Sequence, residues 1–172
     1  MIQLREATPD DAVIISLLAR FTFTETFGHY FTDPTDLEKY LDQTFKVPKL
    51  RASLAKPKNI FWLAYVDELP VGYAKLKLDS PSPFLDADRV CQLQKIYVLK
   101  DFLSQKIGLE LQNVLLDKAK TLGFQKIWLS VLKENTRAIR FYLKNGFNTV
   151  GDHHFSIGQE DFDFQVMVKE LT

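Results

Sequence analysis

Apolar positions alternate with polar ones in some stretches and recur every three or four residues in others, and the switches between these rhythms divide the chain into elements. IQLREA, residues 2–7, alternates as a first strand. TPDDAVIISLLARFTFTETF then offers Thr8 as N-cap, Pro9 at the first helical position and two aspartates at the positive helix end. Its spacing predicts one apolar face made by Val13, Ile14, Leu17, Leu18 and Phe21. DPTDLEKYLDQTF repeats the cap-and-proline signal and turns Leu37, Tyr40 and Leu41 inward, and PKLRASLAK predicts a third short helix that stops before Pro57.

From residue 59 the rhythm changes. NIFWLAYV and VGYAKLKL predict two strands joined by the polar turn DELP. DSPSPFLDAD is a proline- and aspartate-rich surface loop, and VCQLQKIYVL is the next strand. GLELQNVLLDKAKTLG predicts a helix with Leu111, Leu115, Ala119 and Leu122 on one side and Gly123 just past its end. The strand QKIWLSVL follows, then the helix NTRAIRFYLKNG, with Asn135 as N-cap and Gly146 past its end. FNTVGDHHF and FDFQVMVKEL close the chain as strands. The order β-α-α-α-β-β-β-α-β-α-β-β predicts an α/β protein with a mixed sheet and helices on its faces.

Composition narrows the function classes. The 172 residues suit a single domain spanning residues 1–172 with a real core, and 46% apolar with 26% charged residues is globular. Lys plus Arg equals Asp plus Glu at 22 each, so no basic excess points to nucleic acid and no basic block points to a membrane. Neither a signal segment nor an apolar run of spanning length stands out, which points to a soluble, cytoplasmic protein. Cys91 is the sole cysteine, and no Cys/His/carboxylate spacing predicts a metal site. His153 and His154 are adjacent on a strand and point to opposite faces, so they are no metal pair.

The stretch IYVLKDFLSQKIG, residues 96–108, carries the first candidate chemistry: a strand, a loop, and a glycine where a helix begins. Such a junction can cradle phosphate. On these residues alone an ordinary strand-to-helix connection is the simpler reading.

LQKIYVLKDFLSQKIGLEL followed by IWLSVLKENTRAIRFYLKNGF resembles the core of the GCN5-related N-acetyltransferase (GNAT) superfamily. Within it, FTETF, the NTRAIRFYLKNGF region and GDHHFSIGQEDFDF are most similar to bacterial PaiA-like polyamine N-acetyltransferases. The resemblance implies a mixed, mainly antiparallel central sheet flanked by helices, the acyl-CoA N-acyltransferase fold, with acetyl-CoA as co-substrate and no metal. It implies a loop of pattern Gln/Arg-x-x-Gly-x-Gly/Ala, which falls here on Leu103, Ser104, Gln105, Lys106, Ile107 and Gly108; only the last glycine is kept. Backbone N–H groups would hold the pyrophosphate. Ile96, Tyr97 and Val98 would pair with the pantetheine amides where their strand splays from its neighbour.

NTRAIRFYLKNGF matches the family's Asn-x-x-Ala-x-x-Phe-Tyr-x-x-x-Gly-Phe. The resemblance places Asn135 beside the coenzyme, offers Lys144 to the phosphates, and makes Tyr142 the general acid that protonates the leaving thiolate. By spacing alone Tyr142 is a core aromatic and Asn135 an N-cap.

Relatives that carry a glutamate before the loop use it as a base; here the strand holds Gln92 and Gln94. Glu25, His153 and an ordered water are the remaining candidates, and the base stays unassigned. Glu160, Asp161 and Asp163 could attract a polycation. The acceptor expected from the resemblance is a small-molecule amine, cationic, such as spermidine or spermine. A protein amino group, or coenzyme A binding with little catalysis, are the alternatives, and the oligomeric state is left between monomer and homodimer.

Overall fold

In the computed structural model, which describes residues 1–171, β1 (Ile2–Glu6) leads through a short 3₁₀ turn into α1 (Ala12–Phe27), α2 (Pro34–Thr44) and α3 (Val47–Ala55). Then come β2 (Asn59–Val66), β3 (Leu69–Lys77), β4 (Val90–Val98), α4 (Ile107–Thr121), β5 (Lys126–Leu132), α5 (Thr136–Lys144), β6 (Asn148–Ile157) and β7 (Glu160–Glu170). The strands make one sheet in the order β1-β2-β3-β4-β5-β7-β6. Every neighbouring pair is antiparallel except β4 and β5. The expected element order and the mixed, mainly antiparallel sheet are both present.

Helices cover both faces. Leu111, Leu115 and Ala119 of α4 pack with Tyr142 of α5 against Trp62, Leu76 and Ile127 of the sheet. On the other face Ile15 and Phe23 of α1 and Leu50 and Leu54 of α3 pack against Phe61, Leu63 and Tyr73.

Asp11 anchors the start of α1: Arg5 donates to both of its carboxylate oxygens at 2.8 Å, and the Thr8 N–H donates to Oδ2 at 2.8 Å. The β2–β3 turn is tighter than DELP suggested. Only Asp67 and Glu68 lie outside the strands, both at positive φ, the form that matches strand twist.

Two predicted faces are corrected. Val13, Leu17 and Phe21 of α1 are 51%, 53% and 62% exposed, while Ile15, Leu18, Ala19, Phe23 and Phe27 are buried. The helix is apolar almost all round, so periodicity offers two stripes. The aromatic one prevails: Phe23 stacks on Phe27 and Tyr40. Ser16 and Thr22 are buried on that side too, because their hydroxyls donate to the carbonyls of Phe45 and Leu18. Leu122 is likewise exposed, since α4 has ended and the chain turns at Gly123, φ +83°.

Candidate active site

The site starts where the parallel pairing of β4 and β5 stops. Val90, Cys91 and Gln92 pair with Lys126, Ile127 and Trp128, and no pair follows. β5 instead stays in register with β7 along its whole length. From Leu93 onward β4 therefore has β3 on one side and no strand on the other. The splay expected at Ile96–Val98 is present.

β4 also carries one extra residue beside the splay. Lys75 faces Lys95 and Leu76 faces Leu93, which leaves Gln94 without a partner on β3. A bulge of this kind re-aims side chains. Gln94 and Lys95, adjacent in sequence, consequently line the same cleft.

Two cavities meet at the splay. The larger, about 750 Å³, lies between the end of β4, the N-termini of α4 and α5, and the end of α1. Ile96, Tyr97, Val98, Asn135 and Tyr142 form its inner wall. Leu103, Ser104, Lys106, Gly108 and Lys144 line it farther out. Lys100 and Arg137, which sequence reasoning did not single out, add two more cations. Arg137 also donates to the Leu103 carbonyl at 3.1 Å and so ties α5 to the loop. These cations suit a ligand with several phosphates.

The loop is a 3₁₀ turn, Lys100–Gln105, ending in Lys106 at φ +61°. The left-handed region favours glycine, which is the residue the family pattern has at this position. Lys106 adopts the bend at some cost in strain. Gly108 is different: a Cβ there would meet nothing within 4 Å, so the protein's own packing does not require the glycine. The space it leaves belongs to the cavity. Ile107, fully buried in the core, and Gln105 do not line the cavity, so Ile107 has only its backbone N–H to offer.

A small cavity of about 70 Å³ fills the gap between β4 and β5, with Asn135 and Tyr142 on one side and Gln94, Lys95 and Phe164 on the other. Tyr142 is 8% exposed, and burial raises its phenol pKa far above the usual range, so the hydroxyl stays protonated at neutral pH. Tyr97 is pushed up to about 12 by burial and by Tyr40. Asn135 caps α5 by accepting from the Ala138 N–H at 3.2 Å, and its capping and lining roles coexist.

Beyond the gap lies a second cleft, about 500 Å³, on the α1–α3 face. Aromatic rings dominate it, among them Phe27, Tyr40, Phe84, Trp128, Phe162 and Phe164. Its polar members are Gln92, Gln94, Lys95, Ser82, Ser130 and His153. No Asp or Glu lines it. Nothing in the sequence pattern pointed to this cleft, because its walls come from seven separate segments.

The acidic residues before the last strand lie elsewhere. Along β7 Phe162 and Phe164 turn to the cleft, and the alternating Asp161 and Asp163 turn outward to Ser156 and His154. Glu160 accepts from the Thr32 N–H and hydroxyl, at 3.2 and 2.7 Å. The three are fastenings of the β6–β7 hairpin. His153, stacked on Phe164, faces the cleft while His154 faces away, as alternation requires. Glu25 lines the larger cavity and accepts from the Lys100 N–H at 3.1 Å, which makes it a clamp on the loop. Cys91 is fully buried, and burial pushes its thiol up to about 12. Among the described residues no cluster of His, Cys, Asp and Glu is able to hold a metal, and no helix is long and apolar enough to cross a membrane.

The family model described as Acetyltransferase (GNAT) family matches residues 20–147. An uncharacterised N-acetyltransferase of Lactobacillus delbrueckii subsp. lactis is 28% identical over 93% of this chain and 90% of its own. A spermidine N(1)-acetyltransferase of Thermoplasma acidophilum is 22% identical over 85% of this chain and 88% of its own. Among solved structures, the PaiA N-acetyltransferase of Thermoplasma acidophilum in complex with coenzyme A superposes with a TM-score of 0.77 at 21% identity, covering 99% of both chains.

Proposed function

The chain belongs to the acetyltransferase (GNAT) family, and from that premise we propose that its two cavities divide one acetyl transfer, acetyl-CoA entering from the larger cavity and the primary amine of a small molecule from the aromatic cleft. The passage between the two, opened where β4 leaves β5 and walled by Tyr142, carries this reading.

The pyrophosphate would lie over the N-terminus of α4, close to Gly108, within reach of Lys106, Lys144 and Arg137. Pantetheine would run along the strand-free edge of Ile96–Val98 as an added strand. That course brings the thioester to the passage. The amine, uncharged when it attacks, adds to the carbonyl carbon; the tetrahedral intermediate collapses to the amide and the coenzyme A thiolate. Backbone N–H groups near Val98 would polarise the carbonyl. The Tyr142 hydroxyl, kept protonated by burial, would hand its proton to the thiolate, and the proton that the nitrogen sheds as the amide forms would pass to solvent, from which the phenolate recovers one.

Amine-dependent release of coenzyme A, with mass spectrometry finding the acetyl group on the amine nitrogen, tests the reading. An acetylated protein formed from acetyl-CoA without any amine would overturn direct attack.

A polyamine such as spermidine or spermine is a second reading, favoured by the relative named a spermidine N(1)-acetyltransferase. The absence of any carboxylate from the cleft walls counts against it.

A further inference from the structure

The cleft that would admit the amine has a chemical character of its own, and on the reading just given it selects the acceptor. Its rings offer a flat apolar body a surface on several sides. A long, multiply charged chain would find no carboxylate there: Asp161 and Asp163 turn to the outer side of β7 with Ser156 and His154, and Glu160 is engaged by Thr32. Among the described residues, Lys95 is the one lysine or arginine in the wall. It forms no ion pair among the described residues; its ammonium lies 5.4 Å from the centre of the Phe45 ring, and its cross-strand neighbour is a second half-buried lysine, Lys75, 5.4 Å from that of Phe61. Two like charges placed opposite each other on a sheet repel, and aromatic faces compensate only in part.

Gln94 adds direction. Gln94 borders both the cleft and the passage, and its Oε1 is buried with no hydrogen-bond partner among the described residues. A buried carbonyl oxygen without a donor is costly unless a ligand supplies one. An amine N–H arriving at the passage is such a donor, and the bulge that frees Gln94 from β3 is what aims it there.

We infer that the acceptor is an apolar or aromatic amino acid: its amine meets Gln94 at the passage, its carboxylate pairs with Lys95, and its side chain fills the aromatic cleft. The carboxylate supplies the counter-charge that Lys95 lacks in the protein. Burial and Lys49 pull the Lys95 pKa down to about 8, which leaves it mainly protonated at pH 7 and available for that pair. A volume of about 500 Å³ suits a single amino acid rather than a folded protein surface.

The test compares phenylalanine, phenylalaninamide, phenethylamine and spermidine as acceptors at saturating acetyl-CoA, with coenzyme A release as the readout. Wild type should favour phenylalanine over its amide and over phenethylamine by about 10- to 100-fold in kcat/KM, the scale of one charge-assisted hydrogen bond. Lys95→Met should collapse that ratio to about one, and Lys95→Arg should restore most of it. Calorimetric titration with acetyl-CoA reports that each variant is folded. Equal use of phenylalanine and phenethylamine, or a preference for spermidine, overturns the inference and leaves acetyl transfer to amines standing. Acetyl-CoA binding with no turnover of any of the four amines overturns both.

Discussion

Gln92 and Trp128 form the last pair between β4 and β5, and one residue beyond them the sheet opens into the passage that joins the two cavities. Both also line the aromatic cleft. On the proposed reading, the end of one ladder would set the position of the thioester and of the amine at once. Backbone groups are left without a strand partner here, at the place where a parallel pair sits between antiparallel neighbours, and on the proposed reading an extended ligand would take them up.

Gly108→Val should weaken acetyl-CoA binding while the fold persists. The added Cβ meets no protein atom within 4 Å, and valine is no worse a helix former than glycine, so the fold should tolerate the substitution. The methyl groups instead enter the cavity where the pyrophosphate would sit. Calorimetry should find a loss of roughly tenfold or more, about 1.4 kcal/mol per decade. A folded variant with wild-type affinity would show that nothing approaches Gly108.

The elements were legible in the sequence because their ends are marked chemically. Asn135 and Gly146 bracket α5, and Gly123, at φ +83°, closes α4. The loop and Tyr142 were legible through their spacing along the chain. The cleft was not, because Phe27, Trp128 and Phe162 are separated by most of the chain and reach one wall only through the strand order β4-β5-β7-β6. The face of α1 was misread for a related reason: a helix apolar on nearly every side does not say which stripe its neighbours will cover. Gln94 illustrates a third limit. Alternation puts it opposite Lys95, and only the unpaired residue in the β3–β4 register brings the two together.

Gly151→Ala should act on the acceptor alone. Gly151 lies under the Phe84 ring, so a Cβ there would fall 2.3 Å from its nearest carbon. Phe84 sits on the loop of residues 79–88 and is 41% exposed, so it yields by swinging away. The ring is part of the cleft wall, and neither residue lines the larger cavity. Displacing it should raise the acceptor KM by roughly 3- to 10-fold, on the order of 1 kcal/mol, as for other overpacked sites. Acetyl-CoA affinity should stay at the wild-type level. A parallel loss of both would mean that the substitution disturbs the sheet.

Tyr142→Phe separates chemistry from packing. The ring packs edge-on against Phe141 and Phe147, and phenylalanine preserves those contacts. Loss of the proton donor should slow the single-turnover rate by about 10²–10⁴-fold. Acetyl-CoA affinity should barely change, because the bond strengthens only as charge develops on sulfur. Steady-state turnover alone is insufficient, since product release can hide a chemical defect. Full single-turnover activity in the variant would return Tyr142 to the hydrophobic core.

Lys75 and Lys95 predict an unusual dependence of stability on pH. Each has its pKa pulled from 10.5 to about 8, chiefly by burial, with Lys95 the next cause for Lys75. Above pH 8 the folded chain sheds these protons while the unfolded chain keeps them. The unfolded state then binds more protons, so stability must rise with pH, by at most about 1.4 kcal/mol per pH unit for each lysine. Cys91 works in the opposite sense from pH 9, because its thiol ionises in the unfolded chain but is held up to about 12 in the fold. Buried Tyr73, Tyr97 and Tyr142 join it above pH 10. The window from pH 8 to 9 is therefore the informative one. Urea unfolding at fixed ionic strength should show stability increasing across it in the wild type. The Lys75→Met/Lys95→Met double variant should lose most of that slope and should be more stable at pH 7, where the wild type still carries two half-buried cations without carboxylate partners among the described residues. An unchanged slope in the double variant would mean that solvent reaches both ammonium groups and that neither pays for its burial.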